Sequence, residues 1–396
     1  MKYLILLIIT NGFSYVASIL LSHLYSAEQF GIIIGYITIA NLISLLASLG
    51  IHEYSLRELS QNETPLDLSS ILLSLVITAV LSLAWPLPND QMKVVLFAVS
   101  FPSVLIAYSC VILKYRSRVI ELALTQKIVN IYKVLLLLVT AILLFGFAQE
   151  INNPKAVTIS NIIVLASVTA YFIYHIKKYK KYYNFKITNF GFKKKSLNFL
   201  ISDLSYLFTY QAAILIMGQM GMNKAVATYS LSTLLLSSCG LLINALFNSM
   251  LLSNFYKLFS DNKEQAFSFV EKYIRYGIVA ALPVTIILFF AVGLIYPLLF
   301  DTNKYPDLIR LTSLFVFPIV IKLLYSPIGM TMNLEAIIVF KNKVLIIVGA
   351  LTVISTYFLS KSFGVEGALY AFGISELVIL FAYIFGYNQL KKKETL

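Results

Sequence analysis

Residues 276–299 read YGIVAALPVTIILFFAVGLIYPLL, a stretch without a single charged side chain. A helix of this length crosses the hydrocarbon core of a bilayer, which is about 30 Å thick. Over the whole 396-residue chain, 59% of the residues are hydrophobic and 12% are charged. Soluble domains are about half apolar and one quarter charged. The composition therefore predicts an all-α integral membrane protein.

Apolar runs of similar length recur from one end of the chain to the other, separated by short polar segments. Reading them as membrane helices predicts twelve spans. The first six are at residues 3–24, 30–50, 68–86, 93–113, 122–147 and 155–176, and the second six are at 197–220, 225–250, 273–299, 309–333, 341–360 and 365–388.

A lysine-rich segment, residues 177–195, separates the two sets of six spans. It predicts an N-terminal six-helix lobe at residues 1–180, a cytoplasmic connector at 181–196 and a C-terminal six-helix lobe at 197–396. Because each half holds an even number of crossings, any repeat between the halves is parallel.

The formal net charge of +13 is better explained by membrane topology than by nucleic acid. Basic residues concentrate in loops on one side of the predicted spans, and cytoplasmic loops are the ones enriched in Lys and Arg. This bias places both termini in the cytoplasm and the basic loops against an anionic leaflet.

Polar side chains recur at helical spacing within several spans. The second span carries Asn41, and the eighth carries Asn244 and Asn248. Such stripes are typical of helices that line an aqueous cavity. Small polar residues also allow membrane helices to pack closely and to hydrogen-bond to each other, so both interpretations stay open.

Charged residues inside the predicted spans carry more information, because one charge at mid-membrane costs at least about 2.5–3.5 kcal/mol. Lys133 and Lys322 are suited to binding phosphate oxygens, and Lys127 lies beside Lys133 on the fifth span. Asp203 and Glu376 could bind and release a proton or sodium ion. Alternatively, Glu376 neutralises Lys322 from a neighbouring helix, and Lys127 extends to the membrane surface.

Catalytic and metal-binding patterns do not emerge from the sequence. The two cysteines, Cys110 and Cys239, lie inside apolar spans without metal-type spacing, and the three histidines are isolated at span ends. We expect no cofactor, no metal and no enzymatic activity.

Several short segments resemble one known family of membrane transporters. Residues 24–31 read LYSAEQFG, and LGI at 49–51 and RE at 57–58 follow; later come NKAVATY at 223–229 and FGVEGA at 363–368. In order and spacing, these resemble the polysaccharide lipid flippases, the O-antigen (Wzx-type) exporters of the multidrug/oligosaccharidyl-lipid/polysaccharide (MOP) superfamily. The resemblance covers essentially the whole chain.

The resemblance implies two six-helix lobes around a central cavity lined by spans one, two, seven and eight. It also implies alternating-access export of an undecaprenyl-diphosphate-linked oligosaccharide across the bacterial inner membrane, coupled to H⁺ or Na⁺ and alongside other polysaccharide assembly proteins. In that setting Lys133 and Lys322, with Lys127 and Arg57 nearer the cavity mouth, are expected to attract the diphosphate.

Two other functions compete with this one. A cation-coupled multidrug exporter of the same superfamily would use acidic residues for cationic drugs, whereas the predicted cavity is basic. A membrane-embedded polysaccharide polymerase or glycosyltransferase would need a sizeable outer loop with a catalytic site. The longest predicted outer connectors have only about ten residues, too short to form a domain of their own.

Overall fold

The computed structural model describes the chain in segments, and each statement below concerns those residues alone. They are 15–16, 18–52, 54–55, 59, 65–86, 90–116, 154–184, 196–244, 246–247, 251–334 and 337–395. The chain divides into two compact units, Met1–Leu204 and Ser205–Leu396.

Helices make up nearly all of the described structure. In chain order they are α1 (Ala27–Ser48), α2 (Leu68–Ala84), α3 (Asp90–Arg116), α4 (Pro154–Lys178), α5 (Ser196–Gln219), α6 (Asn223–Asn244), α7 (Leu252–Asp261), α8 (Lys263–Leu299), α9 (Leu308–Leu314), α10 (Val316–Thr331), α11 (Ile338–Phe363) and α12 (Val365–Thr395). The structure also contains a 3₁₀ turn (Lys180–Tyr182) and two short strands, β1 (Leu66–Asp67) and β2 (Tyr183–Asn184).

The predicted spans two to four and six to twelve fall on these helices. Of the first predicted span, residues 15–16 and 18–24 are described and, apart from these, the span lies outside the described residues; the fifth lies wholly outside them. Span ten is one predicted element but two helices, α9 and α10, which meet at Phe315.

Several helix ends are fixed by local hydrogen bonds. At the start of α1 the Ser26 hydroxyl accepts from the Gln29 amide at 3.2 Å, and the Gln29 side chain accepts from the Ser26 amide at 3.0 Å. This capping box satisfies two donors that would otherwise lack partners. At the start of α8, Asn262 Oδ1 accepts from the Gln265 amide at 3.0 Å.

Membrane-spanning character is evident from which side chains remain exposed. Six described helical segments are long and apolar enough to cross a membrane: Ala27–Ser48, Phe199–Gln219, Lys263–Leu299, Leu308–Thr331 (α9 and α10 together), Ile338–Phe363 and Val365–Lys393. On α8 the exposed residues Leu282, Phe290, Leu294 and Leu298 form one apolar face, with Leu298 84% exposed. A continuous apolar face of this size requires lipid, so the protein is a multi-pass membrane protein.

In the first unit, α1, α2 and α3 pack against one another and α4 packs on α3. Tyr108 of α3 is fully buried, and its hydroxyl lies 2.8 Å from that of Ser74 on α2. Strands β1 and β2 pair in parallel, and Asn184 Nδ2 donates to Asp67 Oδ1 at 2.9 Å.

In the second unit, α12 is the central element. It pairs with α11 along most of its length and also contacts α6, α8 and α10. The turn between α11 and α12 depends on Gly364, whose φ of +61° favours glycine. On the next turn, Gly367 approaches the Leu359 backbone so closely that a side chain would not fit. These glycines fix how α12 enters the unit.

Candidate functional site

Lys322 is buried at the meeting point of three helices in the second unit. It lies on α10 and is 7% exposed. Its ammonium group donates to the hydroxyl of Tyr210 on α5 at 3.0 Å and lies 4.7 Å from the centre of that tyrosine ring. From α6, Gly240 faces the same group: a Cβ placed there would be 3.6 Å from Lys322 Nζ. A hydrogen bond from a charged donor is stronger than one between neutral groups, and this one offsets part of the cost of burying the lysine.

Glu376, on α12, is completely buried. Among the described residues, neither of its carboxyl oxygens has a hydrogen-bond partner. Lys322, Tyr325 and Tyr210 interact electrostatically with the carboxyl group, but the two tyrosine hydroxyls do not reach hydrogen-bonding geometry. Burying a carboxylate without donors costs several kcal/mol, so Glu376 needs a neutralising partner.

The structure thus brings Lys322 and Glu376 within electrostatic range. It does not join them in an ion pair: Lys322 is hydrogen-bonded to Tyr210 instead. The two charged groups therefore attract each other, while the ammonium group of Lys322 stays hydrogen-bonded to Tyr210.

The surroundings of the pair are polar and aromatic. The hydroxyl of Thr352 on α11 lies 2.7 Å from that of Ser375 on α12, and Ser375 directly precedes Glu376 in the sequence. On α10, Tyr325 packs edge-to-face against Tyr383 with ring centres 5.5 Å apart. Sequence reasoning missed Tyr325, although its position three residues after Lys322 places both on one face of a helix.

The remaining predicted site residues are distributed along the chain. Asn41 is half-buried on α1, and Asp203 is half-buried on α5. Of Asn244 the structure describes the backbone, which ends α6. Four further candidates lie outside the described residues: Arg57, Lys127, Lys133 and Asn248.

On the helices that carry Asn41 and Asn244, several described hydroxyl groups bond to their own helix. Thr38 donates to the Ile34 carbonyl at 2.9 Å, and Ser237 donates to the Thr233 carbonyl at 2.8 Å. Ser44 bonds to its own helix and also reaches the Ser100 carbonyl on α3 at 3.1 Å. Ser44 therefore links two helices, a role that small polar residues commonly have in membranes, whereas the bonds of Thr38 and Ser237 stay within one helix.

Metal binding has no candidate among the described side chains, where no three His, Cys, Asp or Glu residues are grouped. The chemistry of the site is therefore that of one buried cation, one buried carboxyl group and several tyrosine hydroxyls.

Long apolar helices with exposed apolar faces define a multi-pass membrane protein, and its second unit buries one lysine and one glutamate. Solved structures show the same fold. The chain matches the structure "Lipid II flippase MurJ, inward closed conformation" with a TM-score of 0.68 and 16% identity, covering 97% of this chain and 87% of that one. It also matches a eukaryotic MATE transporter with a TM-score of 0.53 and 13% identity, covering 97% and 93%, and an inward-facing MATE family transporter of the MOP superfamily with a TM-score of 0.51 and 12% identity, covering 96% and 96%.

The family assignment follows from the sequence itself. Residues 20–305 match the family model described as polysaccharide biosynthesis protein, and the chain belongs to that family. No curated protein matches the chain. The family model agrees with the expected place in polysaccharide biosynthesis, and the fold is shared with a structure described as a lipid II flippase and with structures described as MATE transporters.

Proposed function

We propose that this protein is a flippase that moves an undecaprenyl-diphosphate-linked oligosaccharide from the inner to the outer leaflet of the bacterial cytoplasmic membrane. Transport is by alternating access and is coupled to H⁺ or Na⁺. The observation that carries the proposal is the buried pair Lys322 and Glu376 in a polysaccharide-biosynthesis protein with the fold of a lipid II flippase.

The physical task explains why such a site is needed. A diphosphate and its sugars cannot cross hydrocarbon without polar partners, whereas the polyprenyl tail can remain in lipid. A protein that moves the headgroup must offer cationic and hydrogen-bonding groups at mid-membrane. We assign this role to Lys133 and Lys322, with Lys127 and Arg57 nearer the mouth of the cavity and Asn41, Asn244 and Asn248 as sugar or phosphate contacts.

Lys322 has a particular requirement in this scheme. It is 7% exposed and bonded to Tyr210, so a phosphate reaches it only when the helices around Gly240 separate. Alternating access supplies such an opening. Glu376 on α12 and Asp203 on α5 are the proposed sites for the coupling cation.

The proposed architecture is twelve membrane helices in two lobes around a central cavity, with lobes at residues 1–180 and 197–396 joined by a cytoplasmic connector at 181–196. Contacts between distant segments support it. The sequence predicts four spans between Asp67 and Tyr183, and an even number returns the chain to the same membrane side, as the pairing of β1 with β2 requires. In the second unit, Glu271 and Lys391 also join across four predicted spans.

Membrane orientation follows from the basic residues. We propose that both termini, β1 and β2 lie in the cytoplasm, because the lysine-rich side of the chain is there. Interaction with other polysaccharide assembly proteins would take place on either surface of the same membrane.

The test is transport in proteoliposomes. Purified protein is reconstituted with a fluorescent undecaprenyl-diphosphate oligosaccharide, and translocation is read as a change in headgroup accessibility to a membrane-impermeant lectin. Lys322→Ala and Lys133→Ala should each lower the rate at least tenfold, because each removes a phosphate contact. Lys343→Ala is the matched control, since Lys343 is exposed, and should transport normally.

Two results would contradict the proposal. Unchanged transport by both Lys322→Ala and Lys133→Ala at normal protein levels would remove the phosphate assignment. Failure of the wild-type protein to move the lipid, combined with cation-driven efflux of a cationic dye, would favour a multidrug exporter, for which the shared MATE fold is the supporting observation.

A further inference from the structure

The neutralisation of Glu376 poses a question that the geometry of its neighbours answers. The carboxyl group is fully buried and has no hydrogen-bond donor among the described residues. Among the residues that the structure describes, the titratable groups that face it are Lys322, Tyr206, Tyr210, Tyr325 and Tyr383. Since tyrosine is neutral at physiological pH, Lys322 is the one cation in this set.

Two neighbours attract the ammonium group of Lys322. In the structure it donates to the Tyr210 hydroxyl, 4.7 Å from the centre of that ring. The second neighbour is the Glu376 carboxyl group, which attracts it electrostatically, and the four-carbon stem of lysine is flexible. The Tyr210 oxygen accepts from Lys322, so the tyrosine proton remains free to face the carboxyl group or Tyr325.

We propose that Lys322 is an internal, tethered cation that competes with a monovalent cation from solution, H⁺ or Na⁺, for Glu376. When Lys322 lies on Glu376, the carboxylate is neutralised and the external cation is excluded. When Lys322 lies on Tyr210, as observed, Glu376 is left to take a proton or sodium ion. This inference rests on the proposed coupling role of Glu376, and it adds the residue that regulates it.

Competition of this kind has a directional consequence. Removing the tethered cation should make the external cation bind more tightly, whereas removing the carboxyl group should abolish its binding. An interaction that merely stabilises the fold would produce neither dependence, because its contribution would be the same at every sodium concentration and pH.

The experiment measures thermal stability of the purified full-length protein in detergent, without lipid-linked substrate. One arm varies NaCl against N-methyl-glucamine chloride at constant ionic strength and at pH 8. The other arm varies pH without sodium, and so distinguishes protons from sodium. Ligand binding to the folded state raises the unfolding temperature in proportion to its affinity.

The variants are Lys322→Met, which keeps an unbranched chain of similar volume without the charge, Lys322→Arg, Glu376→Gln and the double variant Lys322→Met/Glu376→Gln. Lys322→Met should reach half-maximal stabilisation at a sodium concentration at least tenfold lower than wild type, or at a pH about one unit higher. Lys322→Arg should behave like wild type, because the charge is retained. Glu376→Gln and the double variant should respond to neither cation.

The outcomes are decisive in either direction. If Lys322→Met responds to sodium and pH as wild type does, Lys322 does not compete and the proposal is overturned. Should Lys322→Met fail to fold, Glu376→Gln decides: retention of the wild-type cation response would place the cation elsewhere. The assay contains no oligosaccharide, so its failure leaves the flippase proposal standing, and failure of lipid transport leaves this one standing.

Discussion

The close approach of Gly367 to the Leu359 backbone offers a quantitative test of how α12 is positioned. A Cβ at Gly367 would lie 2.0 Å from the Leu359 carbonyl oxygen and 2.2 Å from its carbon. Ordinary contact begins at 3.4 Å, so Gly367→Ala must push the first turn of α12 about 1.4 Å away from α11. The opposing atoms are backbone, and no side chain can rotate to make room.

The cost can be estimated from known overpacking effects. Forcing one extra carbon into a packed site costs about 1–3 kcal/mol, and a backbone neighbour puts this case at the upper end. Alanine recovers about 0.5–1 kcal/mol relative to glycine in a helix interior. Gly367→Ala should therefore lower the free energy of unfolding by about 2 kcal/mol.

Gly373 supplies the matched control on the same helix. No atom lies within 4 Å of a Cβ placed there, so Gly373→Ala should be neutral or stabilising by up to about 1 kcal/mol. Both variants would be unfolded thermally in detergent and followed by circular dichroism. Equal unfolding temperatures for the two alanine variants would refute the close approach of α12 to Leu359.

The same perturbation reaches the candidate site. Glu376 is nine residues beyond Gly367, roughly 13 Å along the helix axis. Because α12 is one continuous helix, a shift at its first turn is transmitted to the carboxyl group. Gly367→Ala should therefore also slow transport, while Gly373→Ala should not.

Two further predictions concern the first unit. Tyr108→Phe removes the hydroxyl group that lies 2.8 Å from the Ser74 hydroxyl in the core and leaves the serine without this partner. Thermal unfolding should show that the free energy of unfolding falls by about 1–3 kcal/mol. The double variant Ser74→Ala/Tyr108→Phe should recover part of that loss. Asn184→Ala removes the hydrogen bond to Asp67 beside the parallel strands and should lower local stability by about 0.5–1.5 kcal/mol. Limited proteolysis near residue 184 should then be faster than in the wild type. An unchanged cleavage rate would show that the bond does not hold β2 in place.

The positions of the helices could be predicted because they depend on local hydropathy. The predicted span at 273–299 ends where α8 ends, at Leu299. The helix itself begins ten residues before that span, at Lys263, where Asn262 caps it and Phe267 enters the core. Amphipathic segments at a membrane surface can begin a helix before the apolar run does, and hydropathy does not report this.

The contacts of the candidate site could not be predicted in the same way. Lys322 and Glu376 stood out as charges within apolar spans, but the partner of Lys322 is Tyr210, 112 residues away. The pairing of β1 with β2 was missed for the same reason, since Asp67 and Asn184 are 117 residues apart. Spacing within one helix shows which residues share a face, while contact between helices depends on how the whole unit packs.

Stability alone does not account for the buried pair. A buried ion pair replaced by well-packed apolar residues often leaves a protein as stable or more so, and in this structure the lysine and the carboxyl group are not even joined. The hydroxyl groups of Thr38 and Ser237 donate to backbone carbonyls of their own helices. Glu376 has no such local solution, and Lys322 depends on a residue of another helix. On the function proposed above, both charges are kept because they can change partners, and cation-coupled movement of a charged headgroup requires that property.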